Sequence, residues 1–171
     1  VHGSRGLGDV YKRQTKSRPS LKKKKIISEV EFASRYTNAY IIAVTGTNGK
    51  TTTSKLIYHI LKNSGFNVGL AGNIGYSFSE SIVENQFDYY VLEVSSFQLD
   101  HIINFRPDIS IITNISPDHL DRYDNKFENY AEAKFNIIRN QKSSDFFIYN
   151  GDCAITTNKI INKRPPVSYT H

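Results

Sequence analysis

The 171 residues carry 22 Lys and Arg against 16 Asp and Glu, a formal net charge of +6, with 39% hydrophobic and 22% charged residues. That length and balance suit one soluble globular domain with a real core, and no apolar run approaches the roughly 20 residues a membrane-spanning helix needs. The first residues are charged and glycine-rich, unlike a secretory signal, and the single cysteine, Cys153, excludes an internal disulfide, so a cytoplasmic setting is expected.

Taken in chain order, the ends look foreign. Asp9–Gln14 (DVYKRQ) can be encoded by GATGTGTATAAGAGACAG. Val167–His171 (VSYTH) can be encoded by GTCTCTTATACACAT, the reverse complement of a stretch inside the first. This resembles translated transposon ends flanking a gene fragment. Residues 1–14 and 167–171 are therefore expected to be non-native and are set aside from the fold. Residues 15–27, polar and basic with Pro19, read as a linker. Lys22–Lys25 carries much of the net charge with no aromatic residue interleaved to stack bases, so a solvated linker is expected there rather than a nucleic-acid arm.

Tyr40–Thr45 is a short apolar, β-branched run expected to form a buried strand. Thr51–Ser64 reads as a helix, with Leu56, Ile57, Ile60 and Leu61 as its apolar stripe and Gly65 as its stop. Further strands are expected at Asn67–Gly72, Tyr89–Val94, Ile109–Thr113 and Asp145–Asn150, with helices at Ser77–Glu84 and Asn129–Asn140. Strands alternating with helices imply an α/β fold, a mostly parallel sheet with helices on both faces.

Ala43–Leu56, AVTGTNGKTTTSKL, is a strand end, a small-residue loop and a helix start. Gly46 and Gly49 let the backbone approach oxygens that a side chain would block. The loop amides and the helix N-terminus then offer partial positive charge, and Lys50 adds a full one. Thr51 is placed to ligate Mg²⁺, as in P-loop proteins, and Thr52 to help cap the helix. The common P-loop pattern asks for glycine at position 44, where Val44 stands, so what remains is a shorter G-x-x-G-K-T form.

In open parallel sheets ligands sit beyond the carboxyl ends of the strands. Glu93 closes the third strand, and Asp118, His119 and Asp121 follow the fourth, so Glu93 and His119 are expected on the rim that carries Lys50. A carboxylate there can hold Mg²⁺; a salt-bridging Glu93 and a turn-capping His119 are the plainer alternatives. Lys134 falls on or beside an apolar stripe with Tyr130 and Ile138. Spacing alone favours a lysine that stretches to solvent.

The segments TGTNGKTTT, AGNIG, LEVSSFQL and NISPDHLDRY…YAEAK resemble, in that order, the central ATP-binding domain of the Mur ligases, over about Ser28–Asp152. SSFQL and DHLDRY are most similar to the D-glutamate-adding branch. The resemblance implies a P-loop NTPase-like central domain over residues 28–166, with the first and third domains of the family absent. It also implies ATP and Mg²⁺ as cofactors, with UDP-N-acetylmuramoyl-L-alanine and D-glutamate as substrates joined through an acyl phosphate. Matched by motif, Gly46, Thr47, Asn48, Gly49, Lys50, Thr51 and Thr52 would hold the ATP phosphates. Thr51 and Glu93 would ligate one Mg²⁺ and His119 a second. Asn73, Ser95 and Gln98 would contact the muramoyl substrate. Lys134 matches the carbamylated lysine of the family, placed beside Mg²⁺. Lys50, His119 and Lys134 would be the catalytic set. The chain by itself is expected not to catalyse ligation. A sister amide ligase such as folylpolyglutamate synthase, a general P-loop NTPase and a basic nucleic-acid-binding module are the competing readings.

Overall fold

A computed structural model describes residues 25–163 and 168–170. The expected flank at 1–14 and linker residues 15–24 lie outside the described residues. Helix α1 (Glu29–Ala33) opens with Ser28, whose Oγ accepts the Glu31 N–H at 3.2 Å. It leads to strand β1 (Tyr40–Thr45), then α2 (Lys50–Asn63), β2 (Val68–Gly72) and α3 (Phe78–Glu84). Next come β3 (Tyr89–Glu93), the single-turn α4 (Ser96–Leu99) and β4 (Ile109–Ile112). A 3₁₀ turn at Leu120–Tyr123 precedes α5 (Phe127–Phe135), β5 (Phe146–Tyr149), α6 (Ala154–Lys163) and β6 (Ser168–Thr170).

The six strands form one parallel sheet in the order β2-β3-β1-β4-β5-β6. The expected α/β sheet is therefore present, with its five strands found within a residue or two. The sixth, β6, lies in the tail set aside from the fold and extends the sheet along β5. The helix expected at Asn129–Asn140 starts two residues earlier and tightens into a 3₁₀ turn at Asn136–Ile138.

Alternation along the strands gives each face its own core. Ile41 and Ala43 point to the larger face, among Val30, Phe78, Tyr90, Leu92, Leu99, Phe105, Tyr130 and Phe147. Ile42, with Val68 and Val91, points to the thinner face, covered by Ile57, Tyr58 and Leu61 of α2. This corrects the expected stripe of α2. Leu56 and Ile60 are 56% and 54% exposed. The helix instead turns positions 54, 57, 58 and 61 to the sheet, a set spaced i, i+3, i+4, i+7, with Ser54 fully buried. Gly65 ends the helix as expected, at φ 86° just after the Ser64 cap.

Two buried carboxylates tie the far end of this sandwich together. Glu31 Oε2 accepts the backbone N–H groups of Ile103, Asn104 and Phe105 at 2.9, 2.9 and 2.7 Å, and Oε1 pairs with Arg35 at 2.8 Å. Asp145 takes a two-pronged pair from Arg106 at 2.7 and 2.8 Å.

Candidate functional site

Strands β1 and β4 are neighbours whose onward connections run to opposite sides of the sheet. The crevice at their carboxyl ends is the topological switch point, where such sheets bind ligands. The Gly46–Thr52 loop lies there. Gly46 sits at φ 150°, and a Cβ on it would overlap Thr113 Oγ1. Gly49 at φ 80° is the N-cap of α2. No side chain caps this helix, and Thr52, expected to help, is an exposed residue of its first turn. The first-turn N–H groups of Lys50, Thr51 and Thr52 therefore have no partner within the helix and carry its positive end.

The next two loop residues face the other way. Thr47 N–H donates to the Asn114 carbonyl at 2.9 Å, and Asn48 N–H to Asn114 Oδ1 at 3.0 Å. Thr47 Oγ1 accepts the Ser116 N–H at 3.0 Å and lies 3.1 Å from the Tyr130 hydroxyl. Of the expected phosphate-holding set, Thr47 and Asn48 thus have their backbone donors committed to the segment after β4.

Two ammonium groups converge on one loop carbonyl. Lys50 Nζ donates to Gly46 O at 3.0 Å and Thr47 O at 2.8 Å, and Lys134 Nζ donates to Gly46 O at 2.7 Å. Lys134 is 2% exposed and stands 4.6 Å over the Tyr130 ring, so the expectation of a lysine stretching to solvent fails. Burial first, and then the neighbouring Lys50 charge, pull its pKa down to about 7, while Asp118 opposes them.

Glu93, 3% exposed, closes β3 beside this loop. Its Oε2 accepts the Thr51 hydroxyl at 2.7 Å and its Oε1 the Asn73 Nδ2 at 3.0 Å. Asn73 N–H also donates to the Glu93 carbonyl at 2.8 Å. Just before it, Gly72 at φ 103° permits that approach, since a Cβ there would overlap the same carbonyl. Ser95 and Gln98, expected to contact substrate, face one another: Ser95 N–H and Oγ both reach Gln98 Oε1 at 2.9 Å, a cap on α4. His119 is found further along the loop after β4, at φ 49°, its side chain 65% exposed and its Nε2 3.6 Å from Asp118 Oδ2.

The structure thus brings Lys50, Thr51, Asn73, Glu93 and Lys134 together, pairs Ser95 with Gln98, and pairs His119 with Asp118. Sequence reasoning passed over Asn114 and Thr113, and gave Tyr130 only a place on a stripe. The first two were open to the same rule that found Glu93, since they are the first polar residues past the end of an apolar strand.

A loop of this build, ended by a lysine and with a buried acid closing the neighbouring strand, can hold a phosphate group. The family described as the Mur ligase middle domain matches residues 44–170, and the chain belongs to that family. Among curated proteins it is similar to UDP-N-acetylmuramoylalanine–D-glutamate ligases. That of Bacteroides fragilis is 60% identical over 130 residues, which are 76% of this chain and 29% of the relative. That of Porphyromonas gingivalis is 50% identical over 143 residues, 84% of this chain and 32% of the relative. The chain spans about a third of the length of these relatives. Two solved structures share the fold. One is MurF ligase from Thermotoga maritima in complex with ADP, with TM-score 0.66 and 24% identity over 82% of this chain and 35% of that one. The other is UDP-N-acetylmuramate:L-alanyl-γ-D-glutamyl-meso-diaminopimelate ligase from Neisseria meningitides, with TM-score 0.65 and 19% identity over 98% of this chain and 56% of that one. Among the described residues, no helix is long and apolar enough to cross a membrane.

Proposed function

We propose that this chain is the nucleotide-holding part of an ATP-dependent ligase that adds D-glutamate to UDP-N-acetylmuramoyl-L-alanine. The observation that carries the reading is the hydrogen bond from the exposed Thr51 hydroxyl to the buried Glu93 carboxylate at 2.7 Å, in the first turn of α2 that also carries Lys50. The names of the relatives at 50–60% identity support the acceptor.

In this reading the first-turn amides of α2 and the Lys50 ammonium receive the ATP phosphates. A hydroxyl and a carboxylate are the hard oxygen donors Mg²⁺ prefers, so Thr51 and Glu93 would hold that ion, which offsets phosphate charge when bound. His119 would serve a second Mg²⁺, and Asn73, Ser95 and Gln98 the muramoyl substrate. A substrate carboxylate oxygen displaces ADP from the γ-phosphorus and becomes an acyl phosphate. The D-glutamate amine then attacks the acyl carbon, loses a proton, and the tetrahedral intermediate expels phosphate. The held geometry supplies in-line positioning and charge neutralisation. Carbamylation of Lys134, an amine adding to CO₂ with loss of a proton, would turn a buried cation into an anion suited to a place beside Mg²⁺. A pKa about 7 supports it by leaving much of the amine neutral at physiological pH.

Titration of this chain with ADP, with and without Mg²⁺, tests the nucleotide part. Micromolar to millimolar binding strengthened by Mg²⁺ is expected, and no ADP binding at millimolar concentration would refute it. For the acceptor, the longer gene product containing this segment should release phosphate only when both UDP-N-acetylmuramoyl-L-alanine and D-glutamate are supplied. Equal release with other amino acids would refute that part.

A further inference from the structure

We propose that Asn114 is a positioning residue for the phosphate loop, acting through residues 47 and 48 and not through the ligand; the proposal rests on the reading of that loop as a phosphate holder. Regular pairing of β1 with β4 stops at Thr45 and Ile112. One more ladder bond follows, Thr113 N–H to the Thr45 carbonyl at 3.0 Å, and then Gly46 swings out at φ 150°. A loop released this way has no sheet to fix it. Asn114 takes over the role of a strand. Its main-chain carbonyl accepts Thr47 N–H at 2.9 Å. Its side-chain amide then meets both ends of residue 48, accepting Asn48 N–H at 3.0 Å and donating to the Asn48 carbonyl at 3.0 Å.

An asparagine side chain carries the same donor and acceptor as a peptide group, so it continues a backbone ladder where backbone can no longer reach. Thr113 Oγ1 supports it with a donation to the same Asn48 carbonyl at 2.6 Å. Thr47 Oγ1, held by Ser116 and Tyr130, fixes the preceding residue.

The consequence is a division of labour along the loop. With the N–H groups of 47 and 48 committed to Asn114 in the segment after β4, the amides left to face an anion are those opening α2. The clamp also sets the direction of the chain as it enters Gly49, and with it the tilt of those amides. Phosphate recognition by aligned N–H groups depends steeply on that tilt.

The test uses Asn114→Leu, close in shape but without either hydrogen-bonding end, and Thr113→Val as a milder second variant that keeps the Asn114 clamp. Amide hydrogen exchange is followed residue by residue without nucleotide, and MgADP affinity is measured by calorimetry. Asn114→Leu should speed exchange at Thr47 and Asn48 at least tenfold, leave Ile42–Val44 in β1 unchanged, and weaken MgADP at least tenfold. Thr113→Val should weaken MgADP by about two- to fivefold. Unchanged exchange at 47 and 48 would overturn the clamp. Faster exchange with MgADP affinity within twofold of the parent would overturn its positioning role. If the parent chain shows the protected amides yet binds no MgADP, the nucleotide reading falls and the positioning role falls with it, whereas the clamp itself is then seen to stand.

Discussion

Replacing Glu31 with alanine should cost the fold about 3–5 kcal/mol. The side chain is fully buried, and one oxygen serves three consecutive N–H groups while the other meets Arg35. The Arg35 side chain is 45% exposed and returns to water at little cost, so the ion pair contributes under about 1 kcal/mol. The larger part comes from the donors. The Phe105 bond is buried, and an unsatisfied N–H there costs about 1–3 kcal/mol; the partly buried Ile103 and Asn104 donors lose about 1 kcal/mol each as water replaces a charged acceptor. Glu31→Gln keeps an acceptor without the charge and should lose about 1–2 kcal/mol. Burial pushes the Glu31 pKa up, but the Ile103 N–H, Arg35, and the Phe105 and Asn104 N–H groups outweigh it and hold it below 4.5. A carboxyl with a depressed folded pKa stabilises the native state above its unfolded value and loses that contribution as pH falls through the folded one. The parent should therefore lose more stability between pH 5 and pH 3 than Glu31→Gln does. Urea unfolding at several pH values measures both effects. A loss below about 1 kcal/mol for Glu31→Ala, or parallel pH profiles for parent and Glu31→Gln, would refute the reasoning.

Gly46→Ala should weaken MgADP at least tenfold and cost about 1–3 kcal/mol of stability, because its Cβ meets Thr113 Oγ1 at a left-handed φ; calorimetry and urea unfolding check it. Glu93→Gln keeps an acceptor for Thr51 but removes the charge. Its ADP affinity should be the same with Mg²⁺ as with EDTA, whereas the parent's should differ severalfold. Lys134→Met should stabilise the chain at pH 6 by a few kcal/mol, of the order set by the cost of a buried ammonium. With a folded pKa about 7 against the 10.5 of a free lysine, the unfolded chain binds more protons across that window, so the parent gains stability as pH rises from about 7 toward 10.5. The variant should lack that rise in thermal unfolding followed against pH.

The strands were legible because each is a short apolar run between turn residues, and the glycine and lysine spacing marked the Gly46–Thr52 loop between β1 and α2. Glu93 was legible because it is a charge at the end of an otherwise apolar run. The phase of α2 was not: Leu56 and Ile60 are apolar and helically spaced, yet the sheet takes the neighbouring stripe that begins at Ser54, and only packing decides between the two. Lys134 was ambiguous because a stretched lysine and a buried one share the same spacing; its Gly46 partner lies 88 positions away in sequence. The Asn114 clamp escaped for a similar reason, since its ties to the loop join positions 66 apart. The tie made by Glu31 of α1 depends on three amides of an irregular segment that no periodicity marks.

If the loop holds an anion as proposed, the sharing of the Gly46 carbonyl by two lysines would make its capture a proton-linked event. Burial, and after it the neighbouring Lys50 charge, pull the pKa of Lys134 down to about 7. With Lys134 as the free amine and not the carbamate, a polyanion arriving at the loop would favour the charged form and draw a proton from the medium. The heat of capture at neutral pH would then contain the ionisation heat of whatever buffer surrounds the chain, and affinity would grow as the medium turns acidic.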